Sequence, residues 1–380
     1  MRGDYQPLVD EISAVLAAPA TLEDRDFGLI AFGEHDTGDD DAPLMDPVRT
    51  RSILRRRSTA AVRSWFEAFG IARATGPLRI PPDPAAGVIR GRICLPARHG
   101  GVVQGYVWLL DDGHLADVEL GGPGAPADPR IAEAMETATR IGALLAAEAR
   151  ADAEAGARLR DAVGGAPGAG AALRAALGAA ADGPVALVAV LPWAGEEDGG
   201  HPPASAVLAT CALRDVSETV LAALVRVRTA AGAEQAALRL LESPRSGPTA
   251  GVSDTRRDLG GLAPAWREAL GAARAGRAEP ALGPVAHWAR LGPYRLLTGL
   301  PAGAAADPAV RPLLAHAELA RTAEVFLDCA GQAGRAAAAL AIHRQTLYYR
   351  LRRVAELTGL DLDDGGDRLL LHMALKAARL

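Results

Sequence analysis

The pattern of apolar and polar positions changes along the chain. Near the N-terminus, apolar residues three and four apart predict an amphipathic opening helix. Those residues are Leu8, Ile12, Val15 and Leu16. Apolar runs broken by polar turns then predict two strands over 21–32 and a hairpin of 88–97 with 102–110. Residues 60–69 are predicted helical, with an aromatic face to bury. Residues 1–125 therefore form a small α+β domain in this interpretation.

A second stripe predicts a long helix that starts with Asp128 as N-cap and Pro129 at its first turn. Its apolar positions step by threes and fours: Ile131, Met135, Ala138, Ile141 or Gly142, and Leu145. Such a stripe is typical either of a coiled-coil seam between two protomers or of a helix packed on its own domain. A Gly- and Pro-rich stretch at 162–168 ends it. Residues 126–169 are thus a connecting helix and linker.

Strand-like and helix-like segments alternate between residues 170 and 302, which predicts an α/β layer. The continuous apolar run 184–191 predicts a strand buried on both faces. Further strands are predicted at 205–213, 220–229 and 248–252, although 220–229 could be helical in part. Helices are predicted at 171–181 and 262–277, and a strand with a helix within 285–300.

Two helices joined by a tight turn are predicted near the C-terminus, over 333–340 and 344–358, with Gly359 ending the second. Leu347, Leu351 and Val354 share one face of that second helix. Opposite them lie Gln345, Tyr349, Arg352, Arg353 and Glu356, with Tyr348 and Arg350 on the flanks.

The segments around these two helices are predicted to be helical as well. Residues 308–329 precede them, and residues 368–380 form a last helix, capped by an acidic connection at 360–367. The predicted packing residues of the two segments are Leu313, Leu314, Ala317, Ala320, Val325, Phe326, Leu369, Leu370, Met373 and Leu375.

Charge separates this C-terminal segment from the rest of the chain. The whole chain has a net charge of −5, yet no acidic residue lies between Asp328 and Glu356, while five arginines do. Local positive charge on an acidic protein favours binding to a polyanion, since phosphate contacts supply most of the affinity of DNA-binding proteins. A solvated helix surface is the plainer alternative.

Other residue clusters predict no chemistry. Six carboxylates within 33–46 could meet a cation, but no spacing fixes ligand geometry, and a solvated loop is favoured. The same holds for five arginines within 49–57. Three cysteines, each more than a hundred residues from the next, have no metal or redox spacing and are interpreted as buried thiols. No signal peptide and no long apolar run are present, so we expect a cytoplasmic chain without membrane contact, cofactor or metal.

The C-terminal segment resembles a known family. Arg335-Ala-Ala-Ala-Ala-Leu-Ala-Ile-His-Arg-Gln-Thr-Leu-Tyr-Tyr-Arg-Leu-Arg-Arg-Val, with Glu356-Leu-Thr-Gly-Leu-Asp-Leu-Asp-Asp after it, is similar to the helix-turn-helix of PucR-type bacterial transcription regulators. The family usually has Asn where this chain has Gln345. Gln can read adenine as Asn does, but its longer side chain changes the reach, so the preferred operator is left open.

The resemblance implies double-stranded operator DNA as the partner and residues 303–380 as the DNA-binding domain. Helical spacing then places Arg344, Gln345 and Tyr348 or Tyr349 at base edges, and Arg350, Arg352 and Arg353 at phosphates. The full set expected at the interface is Arg335, His343, Arg344, Gln345, Thr346, Tyr348, Tyr349, Arg350, Arg352 and Arg353.

The other two domains resemble those that accompany this helix-turn-helix. Residues 1–125 are similar to GAF or PAS sensors, which implies a small-molecule effector, although some such domains bind nothing. Gly251-Val252-Ser253-Asp254 and the following helix make residues 170–302 similar to a degenerate GGDEF-like domain. The cyclase signature is missing, since Gly199-Gly200 is followed by His201-Pro202.

The expected fold class is therefore multidomain α+β: a GAF/PAS-like sensor, a degenerate GGDEF-like α/β domain and an all-α helix-turn-helix. The expected function is effector-controlled transcriptional regulation without catalysis. Nucleotide cyclisation and a scaffold that does not bind DNA are the alternatives. We expect a homodimer or higher oligomer, joined through the 131–145 helix or else through 313–326.

Overall fold

The computed structural model of the chain describes residues 4–33, 54, 60–111, 115, 118–121, 127–194, 206–215, 218–300 and 307–380. The chain divides into two compact units, Met1–Glu154 and Ala155–Leu380. The acidic loop and the arginine-rich helix expected within 33–57 lie outside the described residues, except for Gly33 and Leu54.

The first unit is built on a five-stranded antiparallel sheet with strand order β2-β1-β5-β4-β3. Its strands are β1 (Ala20–Asp24), β2 (Leu29–Phe32), β3 (Leu78–Ile80), β4 (Gly91–His99) and β5 (Val102–Asp111). Its helices are α1 (Gln6–Leu16) and α2 (Ala60–Glu67), followed by the long α3 (Pro129–Val163). The opening helix, both early strands and the hairpin are confirmed. Strand β3 was missed, because three residues carry too little alternation to be read as a strand.

The two faces of this sheet are covered differently. Helix α1 and the first half of α3 pack on one face through an aliphatic cluster. On the other face, Phe27, Phe66, Tyr106 and Trp108 form an aromatic cluster under α2. The indole N–H of Trp108 donates to the buried carboxylate of Glu23 at 3.0 Å.

Helix α3 is not a seam between protomers in its first half, and that expectation is wrong. Ile131 and Ile141 are fully buried and Leu145 is 9% exposed, all against the sheet of their own unit. Gly142 lies against β4, where a β-carbon would sit 2.4 Å from the carbonyl oxygen of Arg98. The alternative, a helix packed on its own domain, is confirmed.

The second unit begins with the last turns of α3, since Ala155, Leu159 and Val163 belong to its core. Residues 169–300 of this unit, called the middle domain below, contain a five-stranded sheet of order β10-β9-β6-β8-β7, antiparallel except for the β9–β10 pair. The strands are β6 (Val185–Trp193), β7 (Val207–Asp215), β8 (Glu218–Arg226), β9 (Ser246–Val252) and β10 (Val285–His287). The helices are α4 (Ala169–Leu177), α5 (Gly232–Leu241), α6 (Leu262–Ala278) and α7 (Tyr294–Leu297).

This sheet is buried on both faces, as the apolar run in β6 predicts. Helices α4 and α6 and the end of α3 cover one face, and α5 covers the other. Segment 218–226 is a strand throughout, which decides against the helical alternative. Helix α5 was missed because its buried face consists mostly of alanines, such as Ala233, Ala236 and Ala237, which give a weak hydrophobic signal.

The C-terminal region is entirely helical, with α8 (Arg311–Leu314), α9 (Ala317–Asp328), α10 (Ala333–Ala339), α11 (Arg344–Thr358) and α12 (Gly365–Ala377). Asp364 caps α12 by accepting the backbone N–H of Asp367 at 2.9 Å, as expected of the acidic connection. Helix α12 buries Leu371, Ala374 and Leu375 in the core of this region.

Some of the packing residues assigned to this region are wrong. The side chain of Leu369 is 61% exposed, and those of Leu370 and Met373 are each 36% exposed. Leu369 and Met373 lie on the side of α12 opposite its buried residues Leu371, Ala374 and Leu375, and Leu370 lies on the flank. Leu314 is also 41% exposed, while Leu313 beside it is buried.

The cysteines are free thiols, with Cys94 and Cys211 buried and Cys329 half-buried. Burial raises the pKa of Cys211 to about 12, which keeps that thiol protonated. Among the described residues, no helix is both long and apolar enough to cross a bilayer.

We predict that Ile141→Ala destabilises the first unit by about 2–5 kcal/mol, because it leaves a cavity between α3 and the sheet. Leu144→Ala, on the same helix but 44% exposed, is the matched control and changes stability little. Hydrogen exchange of the β5 amides is the measurement. If Ile141→Ala leaves the exchange of these amides unchanged and abolishes dimerisation in size-exclusion chromatography, the 131–145 helix is a contact between protomers after all.

Candidate nucleic-acid interface

Helices α10 and α11 are held at a fixed angle by a shared apolar core. Leu347 and Leu351 from α11 pack with Ala336 and Ala337 from α10 and Phe326 from α9. Because alanines supply the α10 side of this contact, the two helices approach closely.

The connection between the two helices is a tight, hydrogen-bonded turn. Ala341 has φ +53°, in the left-handed region, and directs the chain away from α10. The N–H of Ile342 donates back to the carbonyl of Ala337 at 3.0 Å. His343 then caps α11, since its Nδ1 accepts the N–H of Gln345 at 3.3 Å. The predicted turn is thus confirmed, and its histidine has a structural role that sequence reasoning did not assign.

Helix α11 begins at Arg344 and ends at Thr358, as predicted. Gly359 has φ +70° and donates its N–H to the carbonyl of Ala355 at 2.8 Å, so it ends the helix as expected. Leu347 and Val354 are fully buried and Leu351 is 7% exposed. The hydrophobic stripe therefore fixes which face of α11 meets solvent.

The exposed face of α11 carries most of the residues predicted to contact DNA. Tyr349 is 71% exposed and Tyr348 is 58% exposed. The other exposed members of the predicted set are Arg335, His343, Arg344, Gln345, Thr346, Arg352 and Arg353. These side chains combine hydrogen-bond donors, amide groups and aromatic rings on a surface rich in positive charge, a composition suited to phosphates and base edges.

Two of the arginines on α11 have carboxylate partners. Arg350 is 19% exposed and forms an ion pair with Glu318 in α9. Arg353 pairs with Glu356 at 2.7 Å, one turn further along α11. Arg350 is therefore committed to an interhelical contact, which the sequence did not reveal because its partner lies 32 residues away.

Arg344 lies across the start of α10. A β-carbon on Gly334 would sit 2.5 Å from Nη2 of Arg344, so glycine leaves room for this guanidinium to lie over the α10 backbone. Gly334 thus influences where the first arginine of α11 points. Helical spacing alone could not reveal this influence, because it depends on the angle between two helices.

The Gly-Val-Ser-Asp motif of the middle domain has a structural role. The Oγ of Ser253 accepts the N–H of Leu187 at 2.9 Å, and Glu268 accepts the N–H of Asp254 at 3.1 Å. Glu268 also pairs with Arg256 at 2.6 Å. Within the described part of the chain, no group of three or more His, Cys, Asp or Glu side chains is placed to hold a metal ion.

Comparison with known proteins identifies the C-terminal region. Residues 319–377 match the PucR C-terminal helix-turn-helix domain. These residues run from α9 to the end of α12, so the chain carries a PucR-type helix-turn-helix, and the resemblance read from the sequence is confirmed.

Two relatives share parts of the chain. The chain is 66% identical to the carbohydrate diacid regulator of Escherichia coli (strain K12) over 38 residues, and these residues are 10% of each protein. It is 28% identical over 122 residues to the proline-responsive transcriptional activator PutR of Bacillus subtilis (strain 168), or 31% of this chain and 28% of PutR. The matches therefore span about a tenth and about a quarter of these relatives.

A solved structure covers more of the chain at lower similarity. The regulator of polyketide synthase expression from Bifidobacterium adolescentis matches 60% of this chain and 98% of its own, at 20% identity and a TM-score of 0.29. A TM-score this low supports no inference. The GAF-, PAS- and GGDEF-like assignments therefore stay predictions.

We predict that His343→Ala lowers the stability of the C-terminal region by about 1 kcal/mol, because the N–H of Gln345 loses its acceptor. His343→Asn, which restores a capping oxygen, keeps the stability near that of the wild type. The stability of both variants is measured by thermal unfolding and by hydrogen exchange of the α11 amides. An alanine variant as stable as the wild type would mean that the cap contributes nothing.

We also predict opposite effects on stability and on DNA binding for Gly334→Ala. Alanine favours a helix over glycine by up to about 1 kcal/mol, so unfolding is not made easier. The added β-carbon displaces the guanidinium of Arg344, and affinity for duplex DNA falls several-fold. Ala338→Gly, on the exposed side of the same helix, is a control that weakens α10 without touching Arg344. Unchanged affinity in Gly334→Ala would show that the position of Arg344 is not used.

Proposed function

We propose that the chain is a DNA-binding transcriptional regulator of the PucR type. The observation that carries this proposal is the exposed face of α11, which presents Gln345, Tyr349, Arg352 and further polar and cationic side chains directly after a tight, hydrogen-bonded turn. The match of residues 319–377 to the PucR helix-turn-helix supports it. The names of both curated relatives, a diacid regulator and a transcriptional activator, support it too.

In this proposal, α11 enters the major groove of operator DNA. Arg344, Gln345 and Tyr348 or Tyr349 reach base edges, because they lie at the N-terminal end and on the exposed face of α11. Arg352 and Arg353 contact phosphates, with Arg335 supporting from α10. Arg350 contributes positive charge near the backbone while it stays paired with Glu318.

Residues 1–125 are proposed to be the GAF/PAS-like sensor for a small-molecule effector, and residues 170–302 a degenerate GGDEF-like domain without catalysis. The aromatic cluster over the sheet of the first unit, whose Trp108 donates to the buried carboxylate of Glu23, is the favoured location for an effector. The chain is proposed to act as a homodimer, because one helix-turn-helix reads a short half-site and two copies double the contacts.

We predict distinct effects for base-reading and phosphate-binding residues. Gln345→Ala should cost about 1–3 kcal/mol on the preferred duplex and relax the preference at one base pair. Arg352→Ala should weaken all duplexes alike and reduce the salt slope by about 1. The duplex is one selected by the full chain from a random-sequence library, and affinity is measured over a salt series.

Arg267→Ala is the matched control, since Arg267 is an exposed arginine in α6. It removes one positive charge outside the C-terminal helices and should leave the salt slope unchanged. Equal losses for the control and Arg352→Ala would mean that net charge, not the α11 surface, determines binding. If neither Gln345→Ala nor Arg352→Ala lowers the affinity for the duplex, the proposed function is contradicted.

A further inference from the structure

The last helix of the C-terminal region contacts the middle domain within the second unit. Ala377 and Leu380 pack against an apolar cluster of the middle domain that includes Leu291, Tyr294 and Leu297. Helix α12 also shares a core with Val354 of α11. One helix therefore links the middle domain to the DNA-reading helix.

Lys376 joins the two domains by ion pairs. Its side chain is 12% exposed, and its Nζ lies 3.0 Å from carboxylate oxygens of Glu324 and Asp328 in α9. The same Nζ lies 3.5 Å from Glu279, which follows α6 in the middle domain. Burial disfavours the charged ammonium, but the hydrogen bonds that it donates to the carboxylates of Asp328 and Glu324 outweigh this cost and raise the pKa of Lys376. Lys376 therefore stays charged in the physiological range.

Arg379 makes a parallel connection. Its Nη2 lies 2.6 Å from Glu324, 3.3 Å from Glu279 and 3.2 Å from the hydroxyl of Tyr294. That hydroxyl in turn donates to Glu279 at 3.2 Å. Burial works against the charged Glu279 carboxylate, yet the ammonium of Lys376 holds the pKa of that carboxyl below its ordinary value.

The two basic residues of this network have carboxylate partners on both sides of the contact between the domains. Lys376 and Arg379 each keep a carboxylate partner inside the C-terminal region, Glu324, even without the middle domain. Glu279 and the Tyr294 hydroxyl provide the polar contacts from the other side. Removing those two polar groups therefore takes away these polar contacts between the domains. The ion pairs of the helix-turn-helix and the apolar packing of Ala377 and Leu380 stay in place.

The reading face of α11 is open while this contact is formed. Tyr349 is 71% exposed, and Gln345 and Arg352 are exposed with it. The contact between α12 and the middle domain thus does not cover the DNA-binding surface. What it fixes is the orientation of that surface relative to the middle domain.

We propose that Glu279 and Tyr294 are positioning residues that determine which half-site spacing the protein reads. By holding α12, they fix the helix-turn-helix to the middle domain, so two copies present their α11 helices at one separation. Two-fold DNA-binding dimers read half-sites about 34 Å apart, one turn of the duplex, and a five-base-pair change turns one half-site to the opposite side. This inference rests on the proposed DNA binding as a dimer that is joined outside the C-terminal helices.

The test uses the full chain with the double variant Glu279→Gln and Tyr294→Phe. Glu218→Gln is the matched control, because Glu218 pairs with Arg277 at 2.7 Å inside the middle domain. The probes are a duplex with one half-site, a duplex with two half-sites at the selected spacing, and the same duplex with five base pairs inserted. The half-sites come from a random-sequence library selected with the wild type.

We expect the wild type and the control to prefer the selected spacing by about tenfold or more, since fixed geometry makes the second contact intramolecular. The double variant should bind the single half-site within about twofold of the wild type and lose most of the spacing preference. A retained preference would overturn the proposal. An equal loss of affinity for the single half-site would also overturn it, because these residues would then act in base reading. A wild type that binds both spacings equally would overturn it too.

Hydrogen exchange along α12, measured without DNA, separates this inference from the proposed function. The double variant should exchange faster than the wild type near Lys376, while α11 is unchanged. If the two proteins exchange alike, the contact does not hold α12, and the inference fails whatever the DNA results are. If exchange is faster but no protein binds duplex DNA in a salt-dependent way, the proposed function fails and the spacing inference falls with it.

Discussion

Burial of Leu347, Leu351 and Val354 is the interaction on which the rest of the candidate interface depends. Each side chain contributes about 1.5–3 kcal/mol when it is removed from water, so rotating α11 to expose them would cost more than the surface polar contacts could return. The apolar face therefore determines which residues meet solvent. Gln345, Tyr349 and Arg352 are exposed because they are opposite that face.

Electrostatics acts locally in this chain. A net charge of −5 would repel a polyanion at long range, but salt shortens that repulsion to about 8–10 Å. Within α11 itself positive side chains dominate, since the helix contains four arginines and one glutamate. Glu318 and Glu356 then hold Arg350 and Arg353 in place by ion pairs rather than neutralising the whole surface.

The parts of the fold that sequence reasoning predicted are those with a strong local pattern. Helix α11 was bounded correctly because its stripe, its tight turn and Gly359 all lie within a short segment. The 131–145 stripe was read correctly as a helix, but its partner was not, because periodicity shows an apolar face and not what covers it. Ile141 and Leu145 could face a second copy or their own sheet, and the second is what the packing shows.

In the candidate site, too, the sequence predicted what depends on a single helix and not what depends on contacts between helices. Exposure of Gln345 and Tyr349 follows from helical spacing alone. The pairing of Arg350 with Glu318 and the room that Gly334 leaves for Arg344 depend on contacts between helices, which no spacing within one helix encodes. Leu369 and Met373 illustrate the converse, since apolar residues on an amphipathic helix were expected to pack and are exposed.

Guanine N7 methylation interference on a library-selected duplex tests the central claim most directly, because N7 lies in the major groove. A two-fold dimer reading through α11 predicts two clusters of interference about 10 base pairs apart on one side of the duplex. Arg344→Ala should remove or move contacts within each cluster and leave their separation unchanged, because arginine is the side chain that reads guanine O6 and N7. Tight, specific binding without N7 interference, or with interference confined to the minor-groove N3 of adenine, would contradict the account.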